Sequence, residues 1–119
     1  MIVQDIVKIL QAEVLEPSEN LSMEINCACG ADLMSDVMAY VKDNVVLLTG
    51  LVNLQVIRTA EMMDIKIIVF VRGKIPDQNI LDLAAEKKIT ILRTVYPMYI
   101  ACGKLYSAGL TGAGVWNEL

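Results

Sequence analysis

Cys27 and Cys29 form a C-x-C pair. Residues two apart in an extended segment project to the same side, so the two thiols could grip one zinc ion or iron–sulfur cluster. Cys102 or a second subunit would complete such a set. The plainer reading is packing: free cysteine is among the most buried residue types, and Cys102 shares an apolar helical stripe with Met98 and Leu105. Asp32 and Asp36 stand at i and i+4 on one helix side, as a general acid and base would, although helix capping and solvation account for them more simply. The chain has no histidine, which excludes a Ser-His-Asp or Cys-His arrangement and removes the commonest general base and metal ligand. Nor is there a G-x-x-x-x-G-K-[ST] loop to cradle a triphosphate. No catalytic residues are assigned, and the expectation is a non-enzyme.

A second set of residues suits the binding of an anion. Arg72, Gly73 and Lys74 place two cations around a glycine, and Thr49, Gly50 and Asn53 form a similar polar turn upstream. With Gly30, Asp32 and Thr94 they fall in four short segments, residues 27–32, 49–53, 71–75 and 94–97. Together these offer hydroxyls, backbone amides, one carboxylate and two cations. Helix N-termini carry free N–H groups and partial positive charge, so a phosphate or carboxylate could settle beside Arg72. The alternative is that Gly50 and Gly73 are tight-turn residues and Arg72 a solvated charge.

The elements around these segments bring them to one edge. Ile2, Val3, Ile6, Val7 and Leu10 have the three-and-four spacing of a short helix. Residues 17–20 are turn-like, and residues 23–27 predict a strand ending in a loop around Gly30. A helix capped by Asp32 follows, with Leu33, Met34, Val37, Met38 and Val41 as its apolar stripe, ending at Asp43 and Asn44. Residues 45–49 predict a buried strand, then a helix through Val56, Ile57, Ala60 and Met63 with Asn53 as cap. Residues 66–71 form the most β-branched run, and residues 80–88 an amphipathic helix closed by Lys87 and Lys88. Residues 90–93 give the last strand, and Met98, Ala101, Cys102 and Leu105 line a final helix that Gly109 ends. Strands alternating with helices predict right-handed βαβ units: a single three-layer α/β/α domain over residues 1–110, with a mostly parallel or mixed sheet of about five strands. Ligands of such sheets bind outside the carboxyl ends of the strands, where the four segments lie.

Composition agrees. At 119 residues the chain supports one core. Its apolar runs fall far short of the roughly 20 residues that span a bilayer, and strands covered on both faces explain its high mean hydropathy. A net charge of −4 has the wrong sign for tracking a phosphate backbone, so neither nucleic acid nor membrane is an expected partner. Nothing near the N-terminus resembles a secretory signal, and three cysteines are an odd number, so the expected location is the cytoplasm with reduced thiols. Met34, Met38 and Met63 are assigned to packing. Trp116, in the tail of residues 111–119, is either an anchor for a partner or a plug for its own domain.

The successive units VLLTGLVNLQVIRTAEMMDI and KIIVFVRGKIPDQNILDLAAEKKITILRT resemble the two halves of a DRTGG domain, and the likeness extends over roughly residues 23–110. The segments ILRTVYPMYIACGKLY and CGADLMSDVM resemble those of small stand-alone DRTGG proteins. In that family an Asp-Arg pair lies near positions 51–53 and Thr-Gly-Gly at positions 71–73; here only Gly73 keeps its place. The resemblance implies a fold like the N-terminal domain of HPr kinase. It also implies a regulatory or assembly role without catalysis, and a homodimer or a partner protein. For the stand-alone subgroup it implies a setting near anaerobic hydrogenase or electron-transfer systems, where a metal or redox accessory role through the C-x-C pair is the alternative. No cofactor is named by the residues.

Overall fold

The computed structural model describes residues 1–17, 19–40 and 44–112. Helix α1 (Val3–Leu10) is followed by strand β1 (Glu13–Glu16), a short 3-10 helix (Glu19–Ser22) and strand β2 (Cys27–Gly30). Then come α2 (Met34–Tyr40), β3 (Val45–Thr49), α3 (Leu54–Met62), β4 (Ile67–Phe70), α4 (Gln78–Glu86), β5 (Thr90–Arg93), α5 (Met98–Ser107) and β6 (Thr111–Gly112). The sheet has six strands in the order β1-β5-β4-β3-β2-β6. Its four central strands, β2 to β5, are parallel and neighbours in both sequence and space, β6 adds in parallel beside β2, and β1 closes the other edge antiparallel to β5.

Alternation along the strands splits the core into two layers. Val46, Leu48, Ile67, Val69, Val71 and Leu92 face one side, against Val3, Ile6 and Leu10 of α1 and Ala101 and Leu105 of α5. Leu47, Ile68, Phe70 and Ile91 face the other, against Val37 of α2, Val56, Ile57 and Ala60 of α3, and Ile80 and Ala84 of α4. Every residue of β3 and β4 is buried. Their composition, β-branched residues and leucine with Phe70 at the end of β4, is what a strand covered on both faces requires.

Three expectations change. Residues 23–25 are extended but do not join the sheet: Val3 N–H donates to the Met23 carbonyl at 3.1 Å and Ile25 N–H to the Met1 carbonyl at 2.7 Å. The sheet strand begins only at Cys27 and runs through Cys29 and Gly30, which the sequence places in the loop. Strand β1 has no sequence counterpart above, because only Val14 and Leu15 are apolar and an irregularity between Val14 and Glu16 breaks its alternation. Finally, Met34 and Val37 are buried on α2, whereas Leu33 is 61% and Met38 42% exposed, so Met38 is not a core residue. Val41 and Asp43 lie outside the described residues, as do residues 113–119 with Trp116.

Candidate functional site at the carboxyl edge of the sheet

The connections after β4 and β5 leave toward opposite faces, to α4 and α5, the arrangement in which open α/β sheets take ligands at the carboxyl ends of their strands. Hydrogen bonds join the two loops there. Arg72 N–H donates to the Tyr96 carbonyl and Gly73 N–H to the Thr94 carbonyl, both at 2.8 Å. Arg72 and Gly73 both have positive φ, 63° and 66°, and Lys74 N–H donates back to the Val71 carbonyl at 3.4 Å. That is the sign pattern of a type I′ turn, which explains the glycine at position 73. Arg93, not singled out by its sequence position, secures the turn: its Nε donates to the Gly73 carbonyl at 3.2 Å while its Nη1 sits 3.6 Å from Glu13 Oε1 on β1.

With its backbone held, Arg72 sends its guanidinium across to the neighbouring loop. A Cβ built on Gly50 would lie 2.7 Å from Arg72 Nη2, so the bare Cα of Gly50 is the surface on which the guanidinium rests. Gly50 does not have a positive φ, so its requirement is space and not turn conformation. Arg72 is exposed and makes no ion pair among the described residues. Lys74 is likewise exposed and unpaired there.

Asp32 does not cap α2, whose first residue is Met34. Its Oδ1 accepts instead from Gly50 N–H at 2.7 Å and from the Thr49 hydroxyl at 3.2 Å, and Thr49 Oγ1 in turn accepts from Leu51 N–H at 3.1 Å. Asn53 caps α3 as its position predicts, accepting from Val56 N–H at 3.1 Å. Thr94 is buried; its hydroxyl donates to the Leu10 carbonyl at 2.9 Å and accepts from Tyr96 N–H. Its hydroxyl therefore ties the β5 loop to the end of α1. Gly30 lies at the end of β2 beneath α5, where an added Cβ would meet Cys102 Sγ at 2.7 Å, and it too stands apart from Arg72. Thr49, Gly50, Arg72 and Asp32 thus come together, with Asn53, Gly73 and Lys74 alongside; Thr94 borders them through its carbonyl on Gly73 N–H while its hydroxyl turns to Leu10, and Gly30 packs under α5.

The cysteines are half-buried and form no disulfide among the described residues. Cys29 packs on the α3 side of the sheet and Cys102 on the α5 side. Burial pushes the Cys29 thiol up, and neighbouring Cys102, Asp36 and Cys27 push it further; burial alone raises Cys102. No group of three or more Cys, Asp or Glu side chains among the described residues is placed to hold a metal ion. Among these residues, too, no helix is long and apolar enough to cross a membrane.

The chain is thus an open α/β domain with Arg72 laid over Gly50 at the carboxyl edge of its sheet. The model of the DRTGG domain family matches residues 5–106, and the chain belongs to that family. Among solved structures, the chain is similar to the CBS and DRTGG domains of the regulatory region of Clostridium perfringens pyrophosphatase, complexed with its activator, diadenosine tetraphosphate. The TM-score is 0.74 at 15% identity, over 87% of this chain and 45% of that one, so the chain spans less than half of that neighbour's length. At this identity the likeness shows the fold. The comparison with curated proteins finds no match.

Proposed function

We propose that the domain is a non-catalytic regulatory module that binds a small anionic ligand of the nucleotide class at the carboxyl edge of its sheet. The observation that carries this reading is the unpaired Arg72 guanidinium seated on Gly50. Arg72 and Lys74 supply the charge a phosphate needs. Among the described residues Asp32 Oδ2 takes no protein donor, and a carboxylate on the loop where Arg72 rests suits a ligand that carries hydroxyls as well as phosphate. Membership in the DRTGG family, and a neighbour whose regulatory region takes a dinucleotide activator, support a regulatory role.

Isothermal titration with AMP, ATP, diadenosine tetraphosphate and inorganic phosphate tests the reading. At least one should bind, and Arg72→Ala should weaken it by tenfold or more, the loss of a charge-assisted hydrogen bond worth about 1.5–3 kcal/mol. No binding by any of the four, or binding indifferent to Arg72→Ala, overturns it. Assembly as a homodimer is part of the same proposal and is read from mass in solution by light scattering.

A further inference from the structure

Met98 and Cys102 stand one turn apart on α5, and the Cys102 thiol donates to the Met98 thioether with 3.7 Å between the sulfurs. We propose that this pair of sulfurs is a binding site for copper(I). The inference does not depend on the anion reading at Arg72.

A methionine and a cysteine on one helical stripe are ordinarily packing, and three observations set this pair apart. The first is its span. Two sulfurs bound about 2.3 Å from one tetrahedral ion lie about 3.8 Å from each other, so the pair already holds the separation that a shared ion requires. The second is the bare backbone that faces it. A Cβ built on Gly30, at the end of β2, would meet Cys102 Sγ at 2.7 Å and Met98 Sδ at 3.2 Å. The missing side chain leaves both sulfurs around one cradle that any other residue would fill. The third is access. Among the described residues, Cys29, Gly30 and Cys102 line a groove of about 740 Å³ between α5 and Asp36 of α2, and Met98 and Cys102 are only half-buried.

The donors name the metal. Thiolate and thioether together are soft ligands that suit copper(I), whereas carboxylate, carbonyl and water suit the hard divalent ions. On binding, the Cys102 S–H bond breaks, its proton passes to solvent and an S–Cu bond forms. Thiolate and univalent ion then cancel in charge, which fits a half-buried seat. Two protein ligands leave the ion open toward the groove, where Cys29 also lies; charge on Cys102 raises the Cys29 pKa, which places a second thiol in the same neighbourhood. With no group of three Cys, Asp or Glu side chains placed for a metal among the described residues, a closed structural zinc site is absent there, and the open two-sulfur site is of another kind.

Anaerobic titration of the full chain with copper(I) against bicinchoninate, a chromogenic competitor, tests the proposal. The protein should withhold one equivalent. Met98→Leu keeps the apolar bulk and should weaken retention by at least about tenfold, the scale on which even outer groups around a metal matter. Gly30→Ala keeps both sulfurs but fills the cradle, and should weaken it likewise. Cys27→Ala should leave retention unchanged. Far-UV circular dichroism verifies that each variant is folded, and Met98→Leu carries the test should Gly30→Ala misfold. Copper(I) surrendered entirely to the competitor overturns the proposal. So does retention indifferent to Met98→Leu, which is a thiol binding copper adventitiously, or retention abolished by Cys27→Ala, which puts the ion on the C-x-C pair.

Discussion

At Asp32 a carboxylate positioned to cap a helix crosses instead to the next loop and takes the Gly50 amide at 2.7 Å. Both roles satisfy the same chemistry, a short acceptor near an unpartnered N–H. Local spacing cannot tell which N–H is nearer once the strands are side by side. Gly50 carries the same lesson. Its presence was legible as a turn, but the reason for it, the guanidinium of a residue on another loop, is tertiary. Thr94 reads as a ligand hydroxyl until its partner, the Leu10 carbonyl at the far end of the first helix, is seen. The thiols yield a prediction. Because burial raises the Cys29 and Cys102 pKa values, both should react with iodoacetamide at neutral pH more slowly than an unfolded cysteine, gaining rate only at higher pH. The linked stability has a definite sign: raised folded-state values leave it fully present below the ordinary thiol pKa, and it is lost as pH rises through the folded-state values. Alkylation rates mapped by mass spectrometry across pH check this, and rates equal to those of the unfolded chain would reject it.

Among the elements, those with strong composition were legible and those depending on a distant partner were not. Strands β3 and β5 match the residues predicted for them, and β4 lies within its predicted run, because continuous β-branched sequence leaves few alternatives. Strand β1 is an edge with a charged residue at each end, Glu13 exposed and Glu16 half-buried, a common guard against unwanted pairing that also erases the hydrophobic signal. Residues 23–25 are extended, yet their partner is the chain's beginning and not the sheet. The helix caps belong to this scale. Asn53 accepts from Val56 N–H and Asp77 from Ile80 N–H, both at 3.1 Å. Asn53→Ala and Asp77→Ala should each lower stability by about 1 kcal/mol. They share no partner, so the double variant should lose roughly the sum. Denaturant unfolding measures all three, and a double variant no weaker than one single variant would contradict independent caps.

For the whole molecule, the α/β class and its layers followed from alternation and from strands too apolar to have a wet face. The order of the two edge strands did not, since nothing local in EVLE or in Thr111–Gly112 specifies a neighbour. The layout predicts a gradient of protection. Amides of β3 and β4, with a strand on each side and a helix layer on each face, should be the slowest in native-state hydrogen exchange, and those of β1 and β6 the fastest among the strands. Equal protection of β1 and β4 would contradict it.

The strand order also governs how the chain can assemble. Each of β2, β3 and β4 pairs with the next strand in the chain, so the centre of the sheet can form through successive short closures, each a single helix long. The edges are different: Glu13 must find Arg93 and Cys27 must find Thr111, across loops that enclose most of the protein, and long closures cost more chain entropy. The middle of the sheet is thus free to nucleate, while both margins, together with the Arg93–Glu13 pair and the Thr94–Leu10 bond, should set last. The turn that aims Arg72, tied by short closures to the β5 loop, should consequently take shape with the centre of the sheet and gain its Glu13 brace only when the margin closes.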